Sequence, residues 1–173
     1  KFFYLQGKRR SDKEYWFYDT TSISSYSQTL RQVQYGHNKE DDRLPQFNLA
    51  LVYGEESSLP FYYRKLAGNI PDTKTLKSLL EDLFETLELD ELKLIMDRGF
   101  FTVENINTLF QAEMTFLIAG KMSLNYFKDN LEPIYHHFRN FEHYHDGYEL
   151  YHHTITTSWS YEEKQSDTNE RIT

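Results

Sequence analysis

Two aspartates in this sequence close apolar or aromatic runs: Asp19 ends "YWFYD" and Asp97 ends "LKLIMD". Each run has the composition of a buried strand, so each acid leaves the end of a strand. If the two strands are neighbours, both carboxylates emerge together at one end of a sheet. Two close anions repel, and a divalent cation between them relieves the repulsion. A hard, all-oxygen site of that kind suits Mg²⁺ or Mn²⁺, which bind phosphate oxygens and activate water or a hydroxyl. The competing reading is a turn residue or helix cap, the common role of an aspartate after a strand. Thr102 is the better cap for the helix after Asp97, and Thr20 and Thr21 continue a β-like pattern beyond Asp19. Pattern alone leaves both readings open.

Other side chains are candidates for contact with phosphate. His37, Lys39 and Arg43 lie in "QYGHNKEDDRLPQ", a polar connection whose Glu40, Asp41 and Asp42 equally support a solvated charged loop. Arg98 directly follows Asp97 and can meet a phosphate, orient the acid or form a structural ion pair. Arg64 and Lys65 are weaker candidates. The histidines between His136 and His153 have no compact two-plus-two zinc spacing. Tyr144, Tyr148, Tyr151 and Trp159 have faces for base stacking, although packing within their own segment accounts for them equally well.

The elements that must position these residues follow from periodicity. The first ten residues, ending in "GKRR", read as a loop or linker. "KEYWFYDTTSISSYS" reads as a strand, and 46–53 and 61–66 read as a hairpin around "GEESSLP". Leu76, Leu79, Leu80, Leu83, Phe84 and Leu87 form a stripe at helical spacing, with Asp72 or Thr73 as its cap after Pro71. A strand over 92–96, a helix from "TVENINTLFQAE" with Thr102 at its N-cap, and a strand in "MTFLIAGK" follow. The alternation predicts an α/β fold with a mixed sheet whose later strands are parallel. After about Lys121 the character changes, and a helix near 123–140 broken or kinked by Pro133 and a strand near 148–159 are expected.

Composition narrows the function. At 173 residues the chain supports one domain with a sizeable core. Its 14 Tyr and 13 Phe favour sheet. The lack of cysteine excludes disulfides and thiol nucleophiles and fits a reducing cytoplasm. No run approaches the roughly 20 apolar residues of a membrane span. A net charge of −8 argues against a stand-alone module that holds DNA by phosphate neutralisation. It argues less against a metal-dependent nuclease, whose site must itself be acidic.

Four stretches together, "FYDTTSISSYS", "YGHNKEDDRLPQFNLALVYG", "PFYYRKLAGNIPDTKTLKSLL" and "LKLIMDRGFFTVENINTL", resemble the catalytic domain of DDE-type insertion-sequence transposases. The subgroup is the one whose ribonuclease H-like domain carries a β-rich insertion, and the resemblance runs from residue 14 to about residue 124. It implies a five-stranded mixed sheet with the first and fourth strands adjacent, over 1–122, followed by the start of the insertion over 123–173. It also implies that Asp19 and Asp97 are the first two catalytic acids and metal ligands, for Mg²⁺ or Mn²⁺. His37, Lys39, Arg43 and Arg98 would face DNA, in a DNA complex that can hold two copies of the chain, in the bacterial cytoplasm and nucleoid. The family's third acid, a Glu within a Tyr/Arg/Glu/Lys signature on a later helix, has no counterpart in "YEEKQSDTNERIT". The expectation is therefore a chain that stops inside the insertion and is inactive alone. The rival readings are a complete small metal-dependent nuclease using Glu104 or Asp129 as third acid, and a non-catalytic transposase remnant.

Overall fold

The computed structural model describes residues 2–9, 14–36, 44–86 and 93–160. Strict alternation organises the first long strand, β1 (Tyr15–Ser24). Trp16, Tyr18, Thr20 and Ser22 are buried, whereas Tyr15, Phe17, Asp19, Thr21 and Ile23 face outward. β2 (Gln46–Gly54) and β3 (Pro60–Ala67) complete an antiparallel meander, and β4 (Lys93–Met96) and β5 (Thr115–Ile118) add to the other side in parallel. The sheet order is β3-β2-β1-β4-β5. The chain thus has the mixed five-stranded α/β sheet expected of it, with the first and fourth strands adjacent.

One face of this sheet is the core. Helix α2 (Leu76–Thr86) sets Leu76, Leu79, Leu80 and Leu83 among Trp16, Tyr18, Val52, Phe61, Leu94 and Met96. Fully burying one such leucine contributes about 1.5–3 kcal/mol. Of the predicted stripe, Phe84 is instead exposed and Leu87 lies outside the described residues. Trp16 stacks on Phe61 at 4.9 Å between ring centroids, and Tyr18 tilts against Phe100 at 4.8 Å. Helix α3 (Val103–Gln111) is capped as predicted, the Thr102 hydroxyl accepting from the Asn105 N–H at 3.1 Å. A buried carboxylate secures the hairpin turn: Glu14 accepts from the backbone N–H and the hydroxyl of Ser57 at 2.9 and 2.8 Å.

Several local expectations are corrected. Phe2–Gly7 is a short helix, α1, rather than a loop; its apolar "FFYL" start leaves only Lys8 and Arg9 in the turn that follows. Asp72 does not cap α2. The helix is preceded by a 3-10 turn, Asp72–Lys74, whose N-cap is Pro71, a side chain with no hydrogen-bonding group, and the Asp72 carboxylate is engaged elsewhere. Leu92 lies outside the described residues.

The chain divides into two compact units, Lys1–Ala119 and Gly120–Thr173. In the second, the long helix expected near 123–140 is only α4 (Asn125–Leu131), followed by turns. Pro133 has no N–H to donate and its ring opposes a continuing helix, although Glu132 before it still holds helical angles. The strand expected near 148–159 is reduced to β7 (Leu150–Tyr151), paired with the equally short β6 (Tyr144–His145). A ladder can extend no further than its partner, and Glu149 enters β7 with a left-handed φ of 51°. Residues 152–160 form no regular structure. Among the described residues no helix is long and apolar enough to cross a membrane.

β3 and α2 are joined by a polar clamp. The Tyr62 hydroxyl donates to the Asp82 carboxylate, and the Arg64 guanidinium pairs with the same Oδ2 at 2.7 Å. Burial, and next the adjacent carboxylate, raise the Tyr62 pKa well above its ordinary value. A tyrosine held protonated in the fold contributes stability that is fully present below the unfolded pKa near 10 and is lost as pH rises beyond it. Thermal unfolding followed from pH 8 to 11.5 should therefore show a steep alkaline loss, and Tyr62→Phe should flatten it. An unchanged slope in the variant would contradict this role.

Candidate active site

The pairing of β1 with β4 decides where the two aspartates go. Tyr18 stands opposite Met96 in parallel register, so the next residue on each chain is an aspartate. Neighbouring strands lie about 4.8 Å apart, and paired residues of a parallel ladder share a face. Asp97 directly follows β4, but Asp19 lies within β1, paired with Leu51 of β2, because the strand runs on through Thr20 and Thr21 to Ser24 instead of ending at the acid as expected. Both acids are exposed, and Asp19 faces away from the buried Tyr18.

Each carboxylate is oriented by backbone. Asp19 Oδ1 accepts from the Thr20 N–H at 2.7 Å. Asp97 Oδ1 accepts from the Gly99 N–H, also at 2.7 Å, and so caps the 3-10 turn Arg98–Phe100. The cap reading and the chemical reading of Asp97 are therefore compatible. Thr102 caps α3, Asp97 caps its own turn, and that bond uses one of its two oxygens. Phe100 anchors the turn by inserting fully into the core. Gly99 is needed for space rather than for an unusual φ: a Cβ there would sit 2.8 Å from Asp97 Oδ1.

A third acid, whose place sequence reasoning missed, lies beside Thr20 of β1 and the turn after β4. The Thr20 hydroxyl donates to Asp72 Oδ1, and Asp72 Oδ2 lies 3.6 Å from the Cβ position of Gly99. An acid at a helix start reads as a cap in the sequence, which hides this placement. Asp72 and Gly99 also line a pocket of about 250 Å³ with Ser22, Asn48 and Asn69. Beneath, the Tyr18 hydroxyl donates to Thr75 Oγ1 at 2.7 Å, and burial pushes its pKa up to about 12.

Arg98 is exposed beside Asp97. His37, Lys39 and Arg43 lie outside the described residues. Glu104 is exposed in the first turn of α3 and Asp129 belongs to the second unit. Among the described residues no three His, Asp or Glu side chains stand close enough to hold a metal ion. In the second unit, the His143 and His153 rings meet at 4.9 Å and His145 and His152 at 5.9 Å, as aromatic contacts.

With this geometry in view, the profile of the family described as "Transposase DDE domain" matches residues 10–170. The chain belongs to that family. Members of the DDE transposase family generally use divalent metal ions. None of the curated proteins compared matches the sequence. Among solved structures, a piggyBac transposase in a synaptic complex with hairpin DNA is similar at 11% identity and a TM-score of 0.47. That likeness covers 68% of this chain and 25% of the other, so this DDE chain spans a quarter of the length of that neighbour.

The cap made by Asp97 can be tested by substitution. Asparagine keeps the accepting oxygen, so Asp97→Asn should leave stability within about 0.5 kcal/mol, whereas Asp97→Ala should cost about 0.5–2 kcal/mol. Urea unfolding of both variants measures the difference, and equal losses would remove the cap from the account.

Proposed function

We propose that this chain is the catalytic part of a DNA transposase, cutting phosphodiester bonds at the ends of an insertion element and joining them to new DNA. The observation that carries the reading is the parallel β1–β4 register, which sets Tyr18 opposite Met96, so that Asp19 and Asp97 are the next residues on neighbouring strands. The family match supports it.

The donor set fits a hard divalent ion. Both side chains are carboxylates, both are exposed, and each is already hydrogen-bonded through one oxygen to backbone N–H. Asp19 and Asp97 would hold Mg²⁺ or Mn²⁺. When bound, such ions supply activation of water or of a DNA 3′-hydroxyl and stabilisation of the leaving oxygen. The chain's own contribution is positioning: short backbone-capped carboxylates lose little freedom on engaging a ligand. Arg98, exposed next to Asp97, is assigned to a DNA phosphate, with His37, Lys39 and Arg43 in the same role. The third acid is assigned to a glutamate outside the described residues, on a helix beyond an insertion that starts near 123, with 1–122 as the catalytic core. Two copies acting on paired element ends would complete the assembly.

Manganese titration followed by electron paramagnetic resonance checks the paired acids. Asp19→Asn and Asp97→Asn should each weaken Mn²⁺ binding at least about tenfold, the usual scale for losing an ion's support. Unchanged affinity in both would sink the metal assignment. Arg98→Ala should weaken binding of duplex DNA uniformly across sequences and reduce the slope of log K against log salt by about 1. An unaltered salt slope would return Arg98 to a purely structural role.

A further inference from the structure

We propose that Asp72 is a positioning residue of the paired-acid site: it sets the spacing between β1 at Thr20 and the turn that follows β4, and hence between Asp19 and Asp97. The inference rests on the transposase reading only for its consequence on metal binding. Its structural part stands apart from that reading.

Thr20 is the pivot. It follows Asp19, is 2% exposed, gives its N–H to the Asp19 carboxylate and gives its hydroxyl to Asp72 Oδ1. The other Asp72 oxygen lies 3.6 Å from where a Cβ on Gly99 would stand, and the Gly99 N–H holds Asp97 Oδ1 at 2.7 Å. One carboxylate therefore bonds the Thr20 side chain and lies beside the turn that orients Asp97. Asp72 is in turn held from behind. Its carbonyl accepts from the Thr75 hydroxyl at 2.7 Å and the Thr75 N–H at 3.0 Å, and that hydroxyl accepts from Tyr18. Asp72 thus grips β1 at both residues flanking Asp19, once through its side chain and once through Thr75.

The strap that carries Asp72 is also fixed. Gln46 donates to the Gly68 carbonyl at 3.1 Å and Asn48 to the Ile70 carbonyl at 3.0 Å, so the segment entering Asp72 is pinned to β2. A brace with both ends fixed can hold a distance; a lone surface acid cannot. Outer groups that orient metal-binding side chains typically change affinity 10–100-fold when removed.

Amide hydrogen exchange and Mn²⁺ titration of the full chain test this. Asp72→Ala should speed exchange of the Gly99 and Thr20 amides at least about tenfold and weaken Mn²⁺ binding about 10–100-fold. Asp72→Asn keeps an oxygen that accepts from Thr20 and should restore both. Thr20→Val, which removes only the hydroxyl, should reproduce the alanine phenotype and serves if Asp72→Ala does not fold. Unchanged amide exchange in folded Asp72→Ala or Thr20→Val overturns the proposal. So does an asparagine variant as impaired as alanine, which would make charge rather than spacing the operative property. If the amides respond as expected but Asp19→Asn and Asp97→Asn leave Mn²⁺ binding intact, the brace stands and the metal reading fails.

Discussion

The pairing of β1 with β4 in parallel is the constraint on which the rest depends. A parallel neighbour cannot be reached by a tight turn, so the chain must travel out and back between them. Here that excursion contains β2, β3, the strap through Asp72, and α2. The same excursion supplies the cover of the core face and the strap that carries Asp72 to Thr20.

The turn after β4 shows how much is asked of a few residues. Asp97 ends the strand, caps the turn and presents a carboxylate; Gly99 supplies the N–H and the room; Phe100 ties the turn to the core. An apolar anchor three residues from an exposed acid converts core packing into orientational control of a polar group. Rigid support of this kind is what separates a site with defined geometry from two acids that merely lie near each other.

The strands and helices were legible because alternation in "YWFYDTTSIS" and the leucine stripe of α2 are strong periodic signals, whereas the adjacency of the first and fourth strands came from the family resemblance. Asp97 was legible as the acid that ends a strand, but Asp19 was not placed correctly, because β1 continues past it through a Ser/Thr-rich stretch that alternates as regularly as the aromatic one. Asp72 was not, because its role depends on a hydrogen bond to Thr20 across a wide sequence gap, and its local context mimics a cap. The segment after Lys121 was legible only in part. Its aromatic and histidine content gave no clear period, so Pro133 predicted where a helix stops but nothing predicted how short the β6–β7 pairing would be.

The alternation of β1 carries one more consequence. Because its buried and exposed residues interleave one by one, a slip of a single position against β2 or β4 would exchange the two sets. Asp19 could then move only by entering the place of Tyr18 or Thr20, while Trp16 came out into water. Burying an uncompensated carboxylate and exposing an indole are both strongly unfavourable. The hydrophobic core therefore acts as an error check on the acidic site: any folded arrangement that misplaces the aspartate also ruins the packing.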